Sequence, residues 1–134
     1  MSKDDIQKAI NRLPRLTDIG VSYNNRRKLT LEEYKSKFSK DQEMLLNSTE
    51  TFSGVCKWLE GIKKIKTINR NHTSYGLKHV VEKDIGYVSN GVFIAAAIHC
   101  GFNFKHDEIP NVTFNMSEKS IKEKDRVKEP FLAL

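Results

Sequence analysis

Eight consecutive residues, Gly91-Val-Phe-Ile-Ala-Ala-Ala-Ile98, carry no polar side chain. Ser89 or Asn90 can cap a helix at one end of this run, and Gly101 stands where a left-handed residue after the last turn is expected. A helix that is apolar on every side must be enclosed on every side. The rest of the chain therefore has to wrap around residues 89–100, and Ala95, Ala96 and Ala97 keep the helix thin enough for close neighbours. The chain has 134 residues, with 38% hydrophobic and 30% charged side chains. That is room for one domain with a core that needs neither disulfide nor metal. The balance excludes collagen-like, low-complexity and fully disordered chains.

The flanking segments supply candidate partners. Ser2 to Leu13 reads as a short helix, with Asp4 and Asp5 near its positive end and Ile6, Ala9, Ile10 and Leu13 on one face. Pro14 ends it, and Leu16 to Asn25 is expected to be a loop. Thr30-Leu-Glu-Glu33 is a capping box. It opens a helix marked by Leu31, Tyr34 and Phe38, with a break expected at Ser39-Lys-Asp-Gln42. A one-sided helix is expected from Ser48 or Thr49 to Lys64 or Ile65. Its stripe is Phe52, Val55, Cys56, Leu59 and Ile62, with Trp58 at the border and Lys57, Glu60 and Lys64 opposite. Thr67 to His72 reads as a loop. Thr73 or Ser74 starts a helix carrying Leu77, Val80 and Val81, which ends near Asp84 to Gly86.

After Gly101 the period changes from helical to alternating. Phe102 and Phe104, then Val112, Phe114 and Met116, alternate with polar residues around Pro110-Asn111. The expected fold is mainly α: a compact helical domain of about five or six helices. It has a helix-turn-helix-like unit near 73–101 and a small β-hairpin near 102–116. The organisation read along the chain is an N-terminal helix and loop over 1–25, a helical core over 26–116, and a charged, loosely held tail over 117–134. That tail ends in the apolar peptide Phe131-Leu-Ala-Leu134, which suits docking.

Chemistry-bearing motifs are scarce. The chain holds no GxGxxG, P-loop, HExxH, GxSxG or DxDxDG pattern. His72, His79, His99 and His106 lie in one quarter of the chain, but their spacing makes no zinc set, and adjacent His99 and Cys100 point apart on a helix. Cys56 and Cys100 form no CxxC pair and read as small buried hydrophobes. No catalytic residue, metal ligand or cofactor is assigned. The first residues, Met-Ser-Lys-Asp-Asp, lack an apolar signal region. The apolar run at 92–98 is far shorter than the ~20 residues a bilayer demands. A soluble, cytoplasmic protein is expected, and the four Asn-x-Ser/Thr triplets then carry no meaning.

Charge is the most informative feature. Lysine and arginine number 23 against 17 acidic residues, a net charge of +6. Lys57, Lys63, Lys64, Lys66 and Arg70 face only Glu60 between 57 and 70, and Lys78 follows. These six are the expected nucleic-acid contacts, made to phosphates through counterion release. Arg26, Arg27 and Lys28 form a second run. Residues 91–98 offer no groups to base edges, so sequence readout from that helix is not expected. The alternative is a protein–protein module, an inhibitor or adaptor, using Trp58, Tyr75 and the basic patch or the C-terminal peptide.

The segments Ser74-Tyr-Gly-Leu-Lys-His79, Gly86-Tyr-Val-Ser-Asn-Gly-Val-Phe-Ile-Ala-Ala-Ala97, Gly101-Phe102 and Asn111-Val-Thr-Phe-Asn-Met-Ser117 resemble short uncharacterised bacterial proteins of plasmids and other mobile elements. The resemblance spans about a third of the chain. It implies a bacterial accessory protein and carries no activity or catalytic residue with it.

Overall fold

The computed structural model describes residues 3–22 and 29–126, and its architecture is built around the apolar run. Helix α5, Asn90–His99, is capped by the Ser89 hydroxyl, which accepts from the Val92 N–H, and every residue from Asn90 to Ile98 is buried. Gly101 follows at φ +88°, the left-handed conformation that releases a chain from a helix end. Helices α1 (Lys3–Arg12), α3 (Thr49–Leu59) and α4 (Ser74–Ile85) pack on α5. They contribute Ile6, Ala9 and Ile10, then Phe52, Val55, Cys56 and Leu59, then Leu77 and Val81.

Among the described residues the fold is dominated by six helices and includes two small antiparallel sheets. The first is a two-residue ladder, β1 (Leu16–Thr17) with β2 (Gly20–Val21), in place of the loop expected over 16–25. This ladder sits on the start of α5. The Gly91 N–H donates to the Asp18 carbonyl (2.9 Å), and the Ser89 hydroxyl donates to the Asp18 carboxylate (2.8 Å). Gly91 is required there: a Cβ would overlap the Thr17 carbonyl oxygen.

Helix α2 runs unbroken from Leu31 to Asn47 and begins with the expected capping box at Thr30 and Glu33. The break at 39–42 does not occur. These residues lie on a largely exposed helix, where Ser, Lys, Asp and Gln cost only tenths of a kcal/mol each, and Lys37 pairs with Asp41 one turn on (3.0 Å). Helix α3 ends at Leu59, not at Lys64 or Ile65. Ile62 keeps its helical spacing from Leu59 through a single turn, its N–H donating to the Leu59 carbonyl (3.0 Å). The chain then becomes strand β3, Lys64–Asn69, over half of the segment read as a loop.

The second sheet has the order β3-β5-β4, with β4 at Phe104–Glu108 and β5 at Asn111–Met116. The expected hairpin is therefore present as β4 and β5, joined through a cis Ile109–Pro110 peptide. Central strand β5 is buried from Val112 to Met116. Phe114 meets Phe93 of α5 edge to face, with centroids 5.9 Å apart. Asn115 ties the sheet together. Its amide donates to the Ile65 carbonyl of β3 (2.9 Å), and its oxygen accepts from the Asn103 N–H leading into β4 (2.7 Å). Helix α6, Glu118–Arg126, follows with Ser120 and Ile121 buried. Residues 127–134, including Phe131–Leu134, lie outside the described residues, as do Arg26, Arg27 and Lys28. No described helix is long and apolar enough to cross a membrane.

Candidate functional site

Strand β3 forms one edge of the sheet and carries exposed Lys64 and Lys66, with Lys63 immediately before it. Lys63, Lys64 and Lys66 are all exposed. None has a carboxylate within 4 Å among the described residues. An unpaired strand edge is a template for further pairing, and lysines along it are a common guard. The register against β5 also shifts between Lys64 and Asn69, so the edge is not a flat ladder.

Arg70 stands just beyond β3. Its guanidinium lies 3.5 Å from Asp107 of β4, an ion pair that links the two strands flanking β5. Both side chains are more than half exposed, so the pair contributes little to stability and can open. Lys57 is exposed but stands on α3, a different element from the β3 cations.

Lys78 is placed quite differently from the expectation. It is 7% exposed. Its ammonium lies 3.2 Å from Glu82 and stacks on the rings of Tyr75 and Tyr87, 5.3 and 5.1 Å from their centroids. Burying an ammonium is costly unless it is paired, and this one is held by its own helix. Burial opposes ionisation of Glu82. The Val88 N–H and the side chains of Lys78 and His79 outweigh that, and its carboxyl sits below the usual range. Lys78 therefore belongs to the fold rather than to a phosphate-contacting surface. Trp58 is likewise interior: it is 6% exposed, and its indole N–H donates to Asp84 (2.7 Å). Tyr75 and Tyr87 remain open to solvent.

The base of the β3 edge is locked to α6. The Ser117 N–H donates to the Lys63 carbonyl (2.9 Å), and the Lys63 N–H donates to the Ser120 hydroxyl (3.1 Å). Glu118 at the start of α6 takes His72 Nε2 at 3.0 and 2.8 Å on its two oxygens, and the Asn69 amide at 3.1 Å. These hydrogen bonds, His72 first and Asn69 next, hold the Glu118 carboxyl down at about 2 against the effect of burial. This clamp sets α6 beside the strand. Lys119 and Lys122 of α6 are exposed. They are not among the residues expected from sequence, and the capping-like Ser117-Glu-Lys-Ser120 is the signal that could have added them.

The other histidines sit apart from one another. His79 pairs with Glu82 (2.8 Å), His99 lies against Phe52, and His106 is near Phe104. Comparison with family models, curated proteins and solved structures gives no significant match.

Proposed function

We propose that this chain is a small basic accessory protein, of the kind carried by bacterial mobile elements, that contacts nucleic acid electrostatically in the cytoplasm and performs no chemistry. The contact surface is the β3 edge with Lys63, Lys64 and Lys66, extended by Arg70 and by Lys119 and Lys122 of α6. Lys57 contributes only where the polyanion reaches α3. The observation that carries the reading is the run of exposed lysines at the start of β3, Lys63 just before it and Lys64 and Lys66 on it, with no carboxylate partner among the described residues. Phosphates approaching such a run displace counterions at little desolvation cost. The helix-turn-helix-like order of α4 and α5 acts as a packing unit in this reading. Gly91 to Ile98 are enclosed and have nothing to offer a base edge.

The test is a titration of generic duplex and single-stranded oligonucleotides over a range of salt. Affinity should fall steeply with salt. The combined Lys63→Ala, Lys64→Ala, Lys66→Ala and Arg70→Ala variant should flatten the log–log slope by about one for each phosphate left unneutralised. Absence of binding at ~50 mM salt would overturn the reading.

A second reading, a protein–protein module, is favoured by α2. Leu31 and Met44 are about half exposed on this helix, and Tyr34, Phe38 and Leu46 are half-buried. In that case the titration fails, and a partner that co-purifies from the host no longer does so with Met44→Lys.

A further inference from the structure

Cys56 and Cys100 are separated by more than forty positions in the chain, yet the packing of α3 on α5 brings them to one place. Cys56 is buried on α3, and Cys100 is the half-buried residue closing α5. Cys100 Sγ lies 4.0 Å from the Cys56 carbonyl oxygen. Both line a cleft of about 350 Å³ that also takes in Glu60, His99 and Lys64. Lys64 is held over the Phe102 ring, 5.0 Å from its centroid, and its chain end passes beside Gly101. An exposed ammonium thus stands near the more exposed of two neighbouring thiols. Buried cysteines serving only as packing need no such setting; reactive ones are found in electropositive, partly open surroundings.

We propose that Cys56 and Cys100 form a reversible redox pair, in which a small hydroperoxide oxidises Cys100 and Cys56 resolves it to an intramolecular disulfide. The two thiols are unequal in the required sense. Interaction with the Cys100 thiol, together with burial, pushes the Cys56 thiol up. The same interaction brings Cys100 below the ordinary thiol range; burial opposes this, Lys64 assists it, and Glu60 opposes it. Cys100 is therefore the more readily ionised of the two thiols.

In the first step the Cys100 thiolate attacks one peroxide oxygen. An S–O bond forms, the O–O bond breaks, and the other oxygen leaves as hydroxide from hydrogen peroxide or as alkoxide from an organic hydroperoxide. The sulfur loses two electrons to the peroxide and becomes a sulfenic acid. Cys56 then gives its proton to the hydroxide departing from that sulfenic acid and attacks the Cys100 sulfur. The S–S bond forms, the S–O bond breaks, and water is released. A small-molecule thiol restores both cysteines by two exchange steps. The cleft supplies the entry path, and the inference is independent of any contact with nucleic acid.

The experiment treats the fully reduced chain with equimolar hydrogen peroxide, then with iodoacetamide, and reads intact mass and peptides. The expected product has lost two hydrogens, takes no iodoacetamide on either cysteine, and returns to the starting mass with dithiothreitol. Cys56→Ala should stop at a Cys100 sulfenic acid that dimedone captures. Lys64→Gln replaces an exposed residue, keeps both thiols, and should slow Cys100 alkylation at neutral pH by roughly two- to tenfold. Both thiols remaining open to iodoacetamide, a sulfinic acid forming in the unmodified chain without a disulfide, or disulfides found only between chains would each overturn the pair. An unchanged alkylation rate in Lys64→Gln would remove Lys64 from the site.

Discussion

Helices α5 and α2 are held by opposite means. In α5 nine residues are buried and one cap starts the helix. In α2, which has seventeen residues, only Leu45 is fully buried. Local chemistry carries α2: a reciprocal capping box, an i,i+4 ion pair and good helix formers. Burial carries α5, because a ten-residue helix is too short to persist alone in water even with Ala95, Ala96 and Ala97 to favour it. Damage to α5 should therefore be felt by the whole molecule, and damage to α2 should stay local.

Truncation at the centre is the hardest test of this contrast. Phe93→Ala should cost about 3–5 kcal/mol in denaturant unfolding and loosen the sheet through Phe114. Lys35→Ala on α2 should stay within about 0.5 kcal/mol. Equal effects would end the distinction. Gly91→Ala should come next, costing about 1–3 kcal/mol, because the new methyl has to displace backbone of the β1–β2 turn. A wild-type melting curve for this variant would show that the turn is free to move away. Thr30→Ala removes half of the capping box and should cost about 1 kcal/mol. Faster amide exchange should appear in the first turns of α2 and leave α5 protected.

The smallest expected effect belongs to the β3–α6 clamp, which like α2 is held by polar contacts. The Glu118 carboxyl is lowered to about 2 in the fold from an ordinary 4.5. Its contribution is complete above pH 4.5 and is lost as the pH falls through about 2. Acid titration of the unfolding midpoint should show this loss in the parent chain, and His72→Ala should reduce it. The same acid dependence in both proteins would detach Glu118 from His72.

What can be read from sequence follows from how local each signal is. The capping box at Thr30, the cap at Ser89, the left-handed Gly101 and the alternation at 112–116 all concern neighbours in sequence, and each is legible. The end of α3 is not, because Ile62 satisfies both a continued helix and a turn. The β-branched run Ile65, Thr67 and Ile68 is the signal for β3, but lysines between those residues imitate the solvent face of a helix. The β3 lysines are exposed cations, as their clustering suggests, yet they stand on a strand where a helix and a loop are expected. Lys78 turns inward against expectation although Glu82 stands one helical turn away, since charge alone does not say which face of a helix is covered. The Cys56–Cys100 neighbourhood has no sequence signal at all.

Composition and spacing alone required that residues 91–98 lie inside, since a backbone with no polar side chain can stay helical in water only under cover. Which surfaces provide that cover was a tertiary decision. The choice of α1, α3, α4 and β5 as neighbours depends on shape matching between segments far apart in the chain. The same packing made β3 an edge, turned Lys78 inward and set two distant thiols side by side.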